Sequence, residues 1–274
     1  MCQLKSCLVL KDRVFCPDYN SHQQMLEKLG IEDDYLHASK TFVRVELTPP
    51  DNTKSLIEPL NRWTLKVDQD IVPEWWDEKA DRQRVEEAVE IWRKGHVFTE
   101  GKHIVTTETV YAYGNAEVHV YNDATVVAYD STIVKAYSNA KVYAFGKTTV
   151  ETVSNVPVEA YGDATVKAYG NATVTAYNSA TMEAYGIATV KAYDSATVTA
   201  FNSATVEAFD SATVTAYNSA TVEAYGNATV EAYDIAIVKA FDIVTVKAYN
   251  SAMAIYPEEK KIIYPAGWTI ETHE

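Results

Sequence analysis

From about Thr109 to Ser251 the chain repeats itself every eight residues, as in ATVTAYNSATVEAYGNATVEAYD over residues 212–234, and no other feature narrows its possible folds so far. Stepping by eight from Tyr113 to Tyr249 visits eighteen positions, and seventeen are Tyr or Phe, with Val153 the exception. The column three residues earlier runs from Val110 to Val246 and departs from Val only at Met182; the column just before the aromatic is Ala except at Val120 and Thr152. A period that never slips means one supersecondary unit stacked on copies of itself.

Within a unit such as Ala196-Thr197-Val198-Thr199-Ala200-Phe201, small apolar residues alternate with polar or aromatic ones, the period-two pattern of a strand with one buried face. Ala, Val and Ala point inward. Thr, a variable residue and the aromatic point outward, because the variable column includes Glu207, Glu223, Lys239 and Lys247, which need water. Asn202-Ser203 and its equivalents turn the chain. Two-residue hairpins favour Asn-Gly or Asp-Gly, and none of the eighteen turn pairs is either, so a coiling parallel solenoid is expected in place of a meander.

The turn residues also set the coil length. Asp130, Asp194, Asp210 and Asp242 fall in one alternate set of units, with Asp234 outside it; Asn122, Asn202, Asn218 and Asn250 fall in the other, with Asn178 outside it. Alternate units therefore form different edges, as a 16-residue, two-strand coil requires. Glu151, Lys167 and Glu183 alternate in sign at spacing sixteen, as do Glu223 with Lys239 and Glu231 with Lys247, whereas spacing twenty-four would stack Glu159, Glu183, Glu207 and Glu231 as like charges. The expected fold is mainly β: a parallel β-solenoid of about nine two-strand coils, roughly 40 Å long, over residues 106–252. A small α+β domain over 1–105 precedes it and a C-terminal cap over 253–274 closes it.

Ala168-Tyr169-Gly170-Asn171-Ala172-Thr173-Val174-Thr175 resembles the repeats of bacterial ice-nucleation proteins, which implies a thin solenoid of 16-residue coils. The octad is also similar to A-T-V-x-A-Y-x-S arrays of uncharacterised bacterial and phage proteins, as the segment from V-F-C-P-D-Y-N-S-H through P-E-W-W is similar to the leading domain of such proteins.

In the first 105 residues, Ser21 and Gln24 form a capping pattern that opens a helix closed by Gly30. Residues 41–47 and 63–67 read as strands, the first stopping at Pro49-Pro50. Val85, Ala88, Val89 and Trp92 make an amphipathic helix over 81–94, ended by Gly95 and expected to cover the first coil. Beyond Tyr256-Pro257, Glu258-Glu259-Lys260-Lys261 precede Ile262, Ile263, Tyr264 and Trp268, a pattern for a closing strand guarded by charge.

Hydrophobic residues make up 47%, enough for a core, and no apolar run reaches the ~18 residues that would span a bilayer. The start MCQLKSCLVLKDR is too short in apolar residues for a signal peptide, and Cys2, Cys7 and Cys16 are a poor disulfide framework, so a cytoplasmic address is expected. Net charge is −14; residues 106–274 hold 19 Asp and Glu against 9 Lys and no Arg, which disfavours direct nucleic-acid or anionic-membrane binding. Cys16, Asp18, His22, His37, His96 and His103 form no recognised catalytic motif, Asp68-Gln69-Asp70 lacks the calcium-loop continuation, and no catalytic group, cofactor or metal is expected.

The outward columns then carry the functional expectation, a non-enzymatic binding or scaffold role toward a protein partner or a second copy. The candidate face is Tyr177, Tyr193, Phe209, Tyr225 and Phe241 with Thr173, Thr189, Thr205 and Thr221. Asp194, Asp210 and Asp242 form an acidic edge whose row of carboxylates raises an alternative, a nucleic-acid-mimicking inhibitor of a host protein. Ice binding is a second alternative, supported by the Thr-x-Thr pairs at 173/175, 197/199 and 213/215.

Overall fold

The structure, a computed structural model, describes residues 4–50, 55–263 and 269–271. The chain divides into two compact units between Val97 and Phe98.

The first unit is built on an antiparallel four-stranded sheet in the order β2 (Val14–Phe15), β1 (Lys5–Leu10), β3 (Phe42–Thr48), β4 (Thr64–Val67). Helix α1 (His22–Leu29) begins where the capping pattern places it, with Ser21 Oγ accepting from Gln24 N at 3.3 Å, and ends at Gly30 with φ +66°. A single turn, α2 (Tyr35–Ala38), is capped by Asp34. Leu8, Leu10, Met25, Leu26 and Phe42 form a core on one face of β1. Lys5, two pleats along on the opposite face, lies against Trp92 of α3 (Glu78–His96). Helix α3 is longer than the expected 81–94: Asp77 caps it by accepting from Lys79 N and Ala80 N, both at 3.0 Å, and it runs through Gly95. Gly95 does not adopt the positive φ that would close a helix there, and the His96 ring bonds back to Trp92 O at 2.8 Å. Strand β1 was not legible because its first two buried residues are Lys5 and Ser6.

The second unit is a parallel β-solenoid of 16-residue coils. Each octad contributes a four-residue strand, Thr-Val-x-Ala, and successive strands alternate between two sheets, so that Val174 pairs with Val190 and Val190 with Val206 in sheet I, and Val198 with Val214 in sheet II. Sheet I runs in parallel from Thr109–Ala112 to Met253–Tyr256, and sheet II from Lys102–Val105 to Thr245–Ala248, ten strands each. The tenth strand over the expected nine is Met253–Tyr256 in sheet I, within the segment expected to form the cap, and Lys102–Val105 in sheet II. Of the two, Lys102–Val105 is the irregular one. That strand joins Glu117–Val120 at a spacing of fifteen and lacks the octad's spelling. The inward Ala, Val, Ala columns are fully buried through most of the rod, as at Ala196, Val198 and Ala200. Two sheets that meet through side chains this small leave no room for a larger residue at most rungs, which is why the sequence is so uniform there. After Met253–Tyr256 the pairing switches to antiparallel with Lys261–Ile263 and then Thr269–Glu271.

The corners explain the turn column. All eighteen first turn residues have positive φ: six are Gly, and the other twelve, such as Asn202 (+59°), Asp210 (+57°) and Ser138 (+60°), are Asn, Asp or Ser. This left-handed conformation excludes most side chains but is tolerated by Gly and, next best, by Asn and Asp. At Gly114 nothing larger fits, since a Cβ would lie 2.7 Å from Thr99 O. Among the described residues no helix is long and apolar enough to cross a membrane.

Candidate functional site

The solenoid's outer surface has two faces, and the coil sorts the outward columns between them. Tyr177, Tyr193, Phe209, Tyr225 and Phe241 all follow strands of sheet I, the same strands that carry Thr173, Thr189, Thr205 and Thr221. The structure therefore brings these nine residues to one side. The rings themselves are not within the strands. Each sits one residue past the strand's final Ala, at the corner before the turn, half-buried and stacked on the ring one coil away.

The ring spacing matches the rung. From Tyr113 through Tyr129, Phe145, Tyr161, Tyr177, Tyr193, Phe209 and Tyr225 to Phe241, neighbouring centroids lie 4.8–5.2 Å apart and the planes differ by 4–15°. This ladder beside sheet I is unbroken. The ladder beside sheet II is interrupted by Val153: Tyr121 stacks on Tyr137, and a separate run extends from Tyr169 to Tyr249. Where the residue two before a Tyr is Glu, the phenol donates to it, as in Tyr185 to Glu183 (2.8 Å) and Tyr161 to Glu159 (2.6 Å). The bond to Glu183, with desolvation behind it, pushes the Tyr185 hydroxyl up to about 12, and the same bond holds Glu183 below the usual carboxylate range.

Charge is paired along the columns at coil spacing. Lys167 meets Glu183 at 3.3 Å, Lys247 meets Glu231 at 3.0 Å, and on sheet I Lys191 meets Glu207 and Lys239 meets Glu223, both at 2.9 Å. Glu207 and Glu223 are themselves directly opposed across adjacent strands, so this one like-charge contact is bracketed by a lysine on each side.

Asp194, Asp210 and Asp242 lie on one edge, together with Asp130 and Asn178. Their carboxylates are turned along the rod. Asp194 Oδ2 accepts from Asn178 N at 2.9 Å, Asp210 Oδ2 from Asp194 N at 3.3 Å, and Asp242 Oδ2 from Gly226 N at 3.0 Å. Each cap satisfies a backbone donor that the left-handed turn leaves outside the strand ladder. On the other edge Asn202, Asn218 and Asp234 do the same for Gly186, Asn202 and Asn218.

One part of the sheet I face escaped the sequence reading. At three successive rungs the variable column holds Tyr111, Val127 and Tyr143, directly paired, and the two rings leave Val127 only 4% exposed on an outward-facing position. Next to it Tyr143, Pro157, Glu159, Lys141 and Val142 line a shallow depression of about 160 Å³. Reading the variable column at spacing sixteen would have found this apolar stretch.

In the first unit the structure joins some of the singled-out residues. Asp18 Oδ1 lies 2.9 Å from His96 Nε2, and Cys16 lies beside Cys7; Cys2 is outside the described residues. Two groups, His22–Glu46–Asp68 and Glu32–Asp34–His37, have ligand-type atoms within 4.8 Å of one another. Their polar atoms already serve one another: His22 Nδ1 is 3.3 Å from Asp68, its Nε2 is 3.2 Å from Val45 O, and His37 Nδ1 is 2.9 Å from Asp34. His103 lies in the solenoid unit, stacked on Phe98 at 3.8 Å.

The chain is thus a repeat protein with a regular β-solenoid. No protein-family model, no curated protein and no solved structure matches it.

Proposed function

We propose that the protein is a non-enzymatic scaffold whose solenoid presents the outer face of sheet I to a protein partner in the cytoplasm. The observation that carries this reading is the asymmetry of the two faces: only the ladder bordering sheet I runs unbroken over nine rings, and the same face bears the Tyr111–Val127–Tyr143 stretch. A long, stiff aromatic ridge flanked by Thr hydroxyls offers contact area at little cost in side-chain entropy, because the rings are already held by stacking. The likeness of the octad to phage and bacterial arrays, and to ice-nucleation repeats, belongs to this proposal and rests on the octad's spelling. Nucleic-acid mimicry is less favoured, since the Asp194, Asp210 and Asp242 carboxylates are engaged in capping the neighbouring rungs.

The test is a matched pair of triple substitutions. Tyr177→Ser, Tyr193→Ser and Phe209→Ser remove three stacked rings beside sheet I; Tyr185→Ser, Phe201→Ser and Tyr217→Ser remove three beside sheet II. Both should lower thermal stability to a similar degree. Only the first set should abolish co-purification of the partner from the native host, or association detected by sedimentation, because aromatic anchors commonly dominate interface energy. Equal loss of stability with association unchanged in both would leave the rod as a spacer.

A further inference from the structure

The cysteines of the first unit sit in an arrangement that the solenoid's role does not use. Strands β1 and β2 form a hairpin in which Leu8 opposes Phe15 and Val9 opposes Val14, closed by Leu10 N donating to Arg13 O at 2.8 Å. Continuing that register by one step sets Cys16 opposite Cys7. Hydrogen-bonded and non-hydrogen-bonded pairs alternate along an antiparallel ladder; with the Leu10–Arg13 pair bonded, the Cys7–Cys16 pair falls in the non-bonded class, whose Cα atoms lie about 4.5 Å apart. That is within the range of roughly 4.4–6.8 Å over which a disulfide closes without moving the backbone. The two thiols lie close enough for each to shift the other's titration.

The surroundings make the two sulfurs unequal. Cys7 is completely buried, in a strand flanked by β3, while Cys16 is partly exposed at the hairpin's open end. Beneath both is Lys5, 1% exposed. Its ammonium lies 4.6 Å from the Trp92 ring, donates to Pro17 O, and reaches Asn20 Oδ1 at 3.2 Å. Asn20 in turn straps the Cys16–Asn20 segment to β1, its Nδ2 donating to Leu4 O at 2.9 Å and its Oδ1 accepting from Ser6 N at 3.1 Å. The neighbouring Cys7 thiol, and after it the Lys5 charge, favour the Cys16 thiolate, against its own partial burial and Asp18; burial holds Cys7 as the thiol. A partly exposed thiolate beside a protonated second thiol is the pairing seen where one cysteine reacts and another resolves.

The geometry points to Cys7 and Cys16 as a peroxide-reactive dithiol, in which Cys16 is the attacking sulfur and Cys7 the resolving one. The Cys16 thiolate attacks one oxygen of hydrogen peroxide, the O–O bond breaks, and hydroxide leaves to become water on protonation; Cys16 is left as a sulfenic acid. The Cys7 sulfur, giving up its proton, then attacks the Cys16 sulfur. The S–O bond breaks, a second water leaves, and a Cys7–Cys16 disulfide remains. Two thiols have been oxidised and one peroxide reduced to two waters.

The test uses the full-length, reduced protein treated with hydrogen peroxide, alkylated, digested and mapped by mass spectrometry. The expected product is a peptide pair joined through Cys7 and Cys16 with Cys2 alkylated, reversed by dithiothreitol, and with Cys16 oxidised about tenfold or more faster than Cys2, since a thiol lowered from its ordinary value reacts faster. In a Cys7→Ser variant the sulfenic acid at Cys16 should persist and be trapped by dimedone. A bridge to Cys2, no bridge at all, or a Cys16 that oxidises no faster than Cys2 would overturn the assignment, and all three are read on the unsubstituted chain.

Discussion

In the first unit Lys5, Cys7, Leu8 and Val9 are all buried on one strand, and each has surroundings of its own: an indole and carbonyls for Lys5, a thiol for Cys7, the α1 core for Leu8. In the solenoid Val174, Val190, Val206 and Val222 are equally buried, and each has the same surroundings as the next. The first arrangement is a set of unique contacts, most of them distant in sequence. The second is one contact set repeated, so that its stability is close to a sum of identical rungs and their interfaces. The difference teaches where each unit is fragile. A globular unit fails as a whole when one irreplaceable contact is lost, and a solenoid tolerates the loss of any coil provided that register is kept.

The largest effect that tests this contrast comes from deletions. Removing residues 197–212 takes out one coil and leaves every column aligned, and the protein should fold with a melting temperature close to that of the parent. Removing residues 197–204 takes out one strand, sends every later strand to the opposite sheet, and moves the antiparallel closing strand to the wrong side; folding should be lost or severely weakened. A sixteen-residue deletion over 22–37 in the first unit, which removes α1 with Met25 and Leu26, should abolish that unit's fold. Circular dichroism melts of the three variants decide the matter, and equal tolerance of the eight- and sixteen-residue deletions would remove the two-sided coil from the account.

A smaller effect separates the corners from the faces. Asp210 has φ +57° and its carboxylate accepts from Asp194 N. Asp210→Ala forces a Cβ residue without a capping oxygen into the left-handed region, at a cost of about 1–2 kcal/mol. Asp210→Gly removes the strain and should recover much of that loss. Chemical denaturation of the two variants reads the difference, and a Gly variant no more stable than the Ala variant would show that the cap, rather than the backbone conformation, dominates.

The smallest effect is a shared slope with pH. Bonds from Tyr185 and Lys167 hold Glu183 below the usual carboxylate range; Lys239 then Tyr225 do so for Glu223, and Lys247 then Tyr233 for Glu231. Folded pKa values below the unfolded ones mean that the stabilisation is fully present above the unfolded carboxylate value of about 4.3. It is lost as pH falls through the lower folded values, because the unfolded chain takes up protons first. The groups are mostly exposed, so each contributes little. The expected result is a shallow decline of the solenoid's stability below about pH 4.3, reduced in a variant carrying Glu183→Gln, Glu223→Gln and Glu231→Gln, with Glu117, held down by His119, left as the remainder.

Much of the solenoid was legible because each column obeys one constraint and shows it many times: Val where only a small apolar side chain fits, Asn, Asp or Gly where φ is positive, Lys opposite Glu at spacing sixteen. The departures from that reading arise where the constraint is not written in residue types. Lys102–Val105 joins as a rung although nothing in its spelling matches the octad, because backbone pairing needs no particular side chains. Continuing the strand alternation by one residue sets each aromatic outward, as found, and the positive-φ corner follows at the next residue. Of the candidate site, the sorting of Tyr177, Tyr193, Phe209, Tyr225 and Phe241 onto one side follows from coil length alone. The engagement of Asp194, Asp210 and Asp242 with the rungs beside them does not, since it depends on where a carboxylate points. In the first unit, the caps Ser21 and Gly30 were readable as local signals, while the burial of Lys5 came from three partners far along the chain.

One coil departs from the others on both of its sides. Pro157 opens its sheet I strand with no N–H to donate, where Lys141 N reaches Ala124 O at 2.9 Å and Thr173 N reaches Val156 O at 3.1 Å. On sheet II Val153 interrupts the ring stack, and the neighbouring Thr152 hydroxyl is buried without a hydrogen-bond partner. In mechanical terms, the rungs of a solenoid are links in series, so a load along the axis is borne equally by all of them and failure occurs at the weakest. Pulled end to end, the rod is expected to yield first at residues 149–164, on both sides of that coil, leaving a shorter N-terminal stub and a longer C-terminal rod with its stacks unbroken.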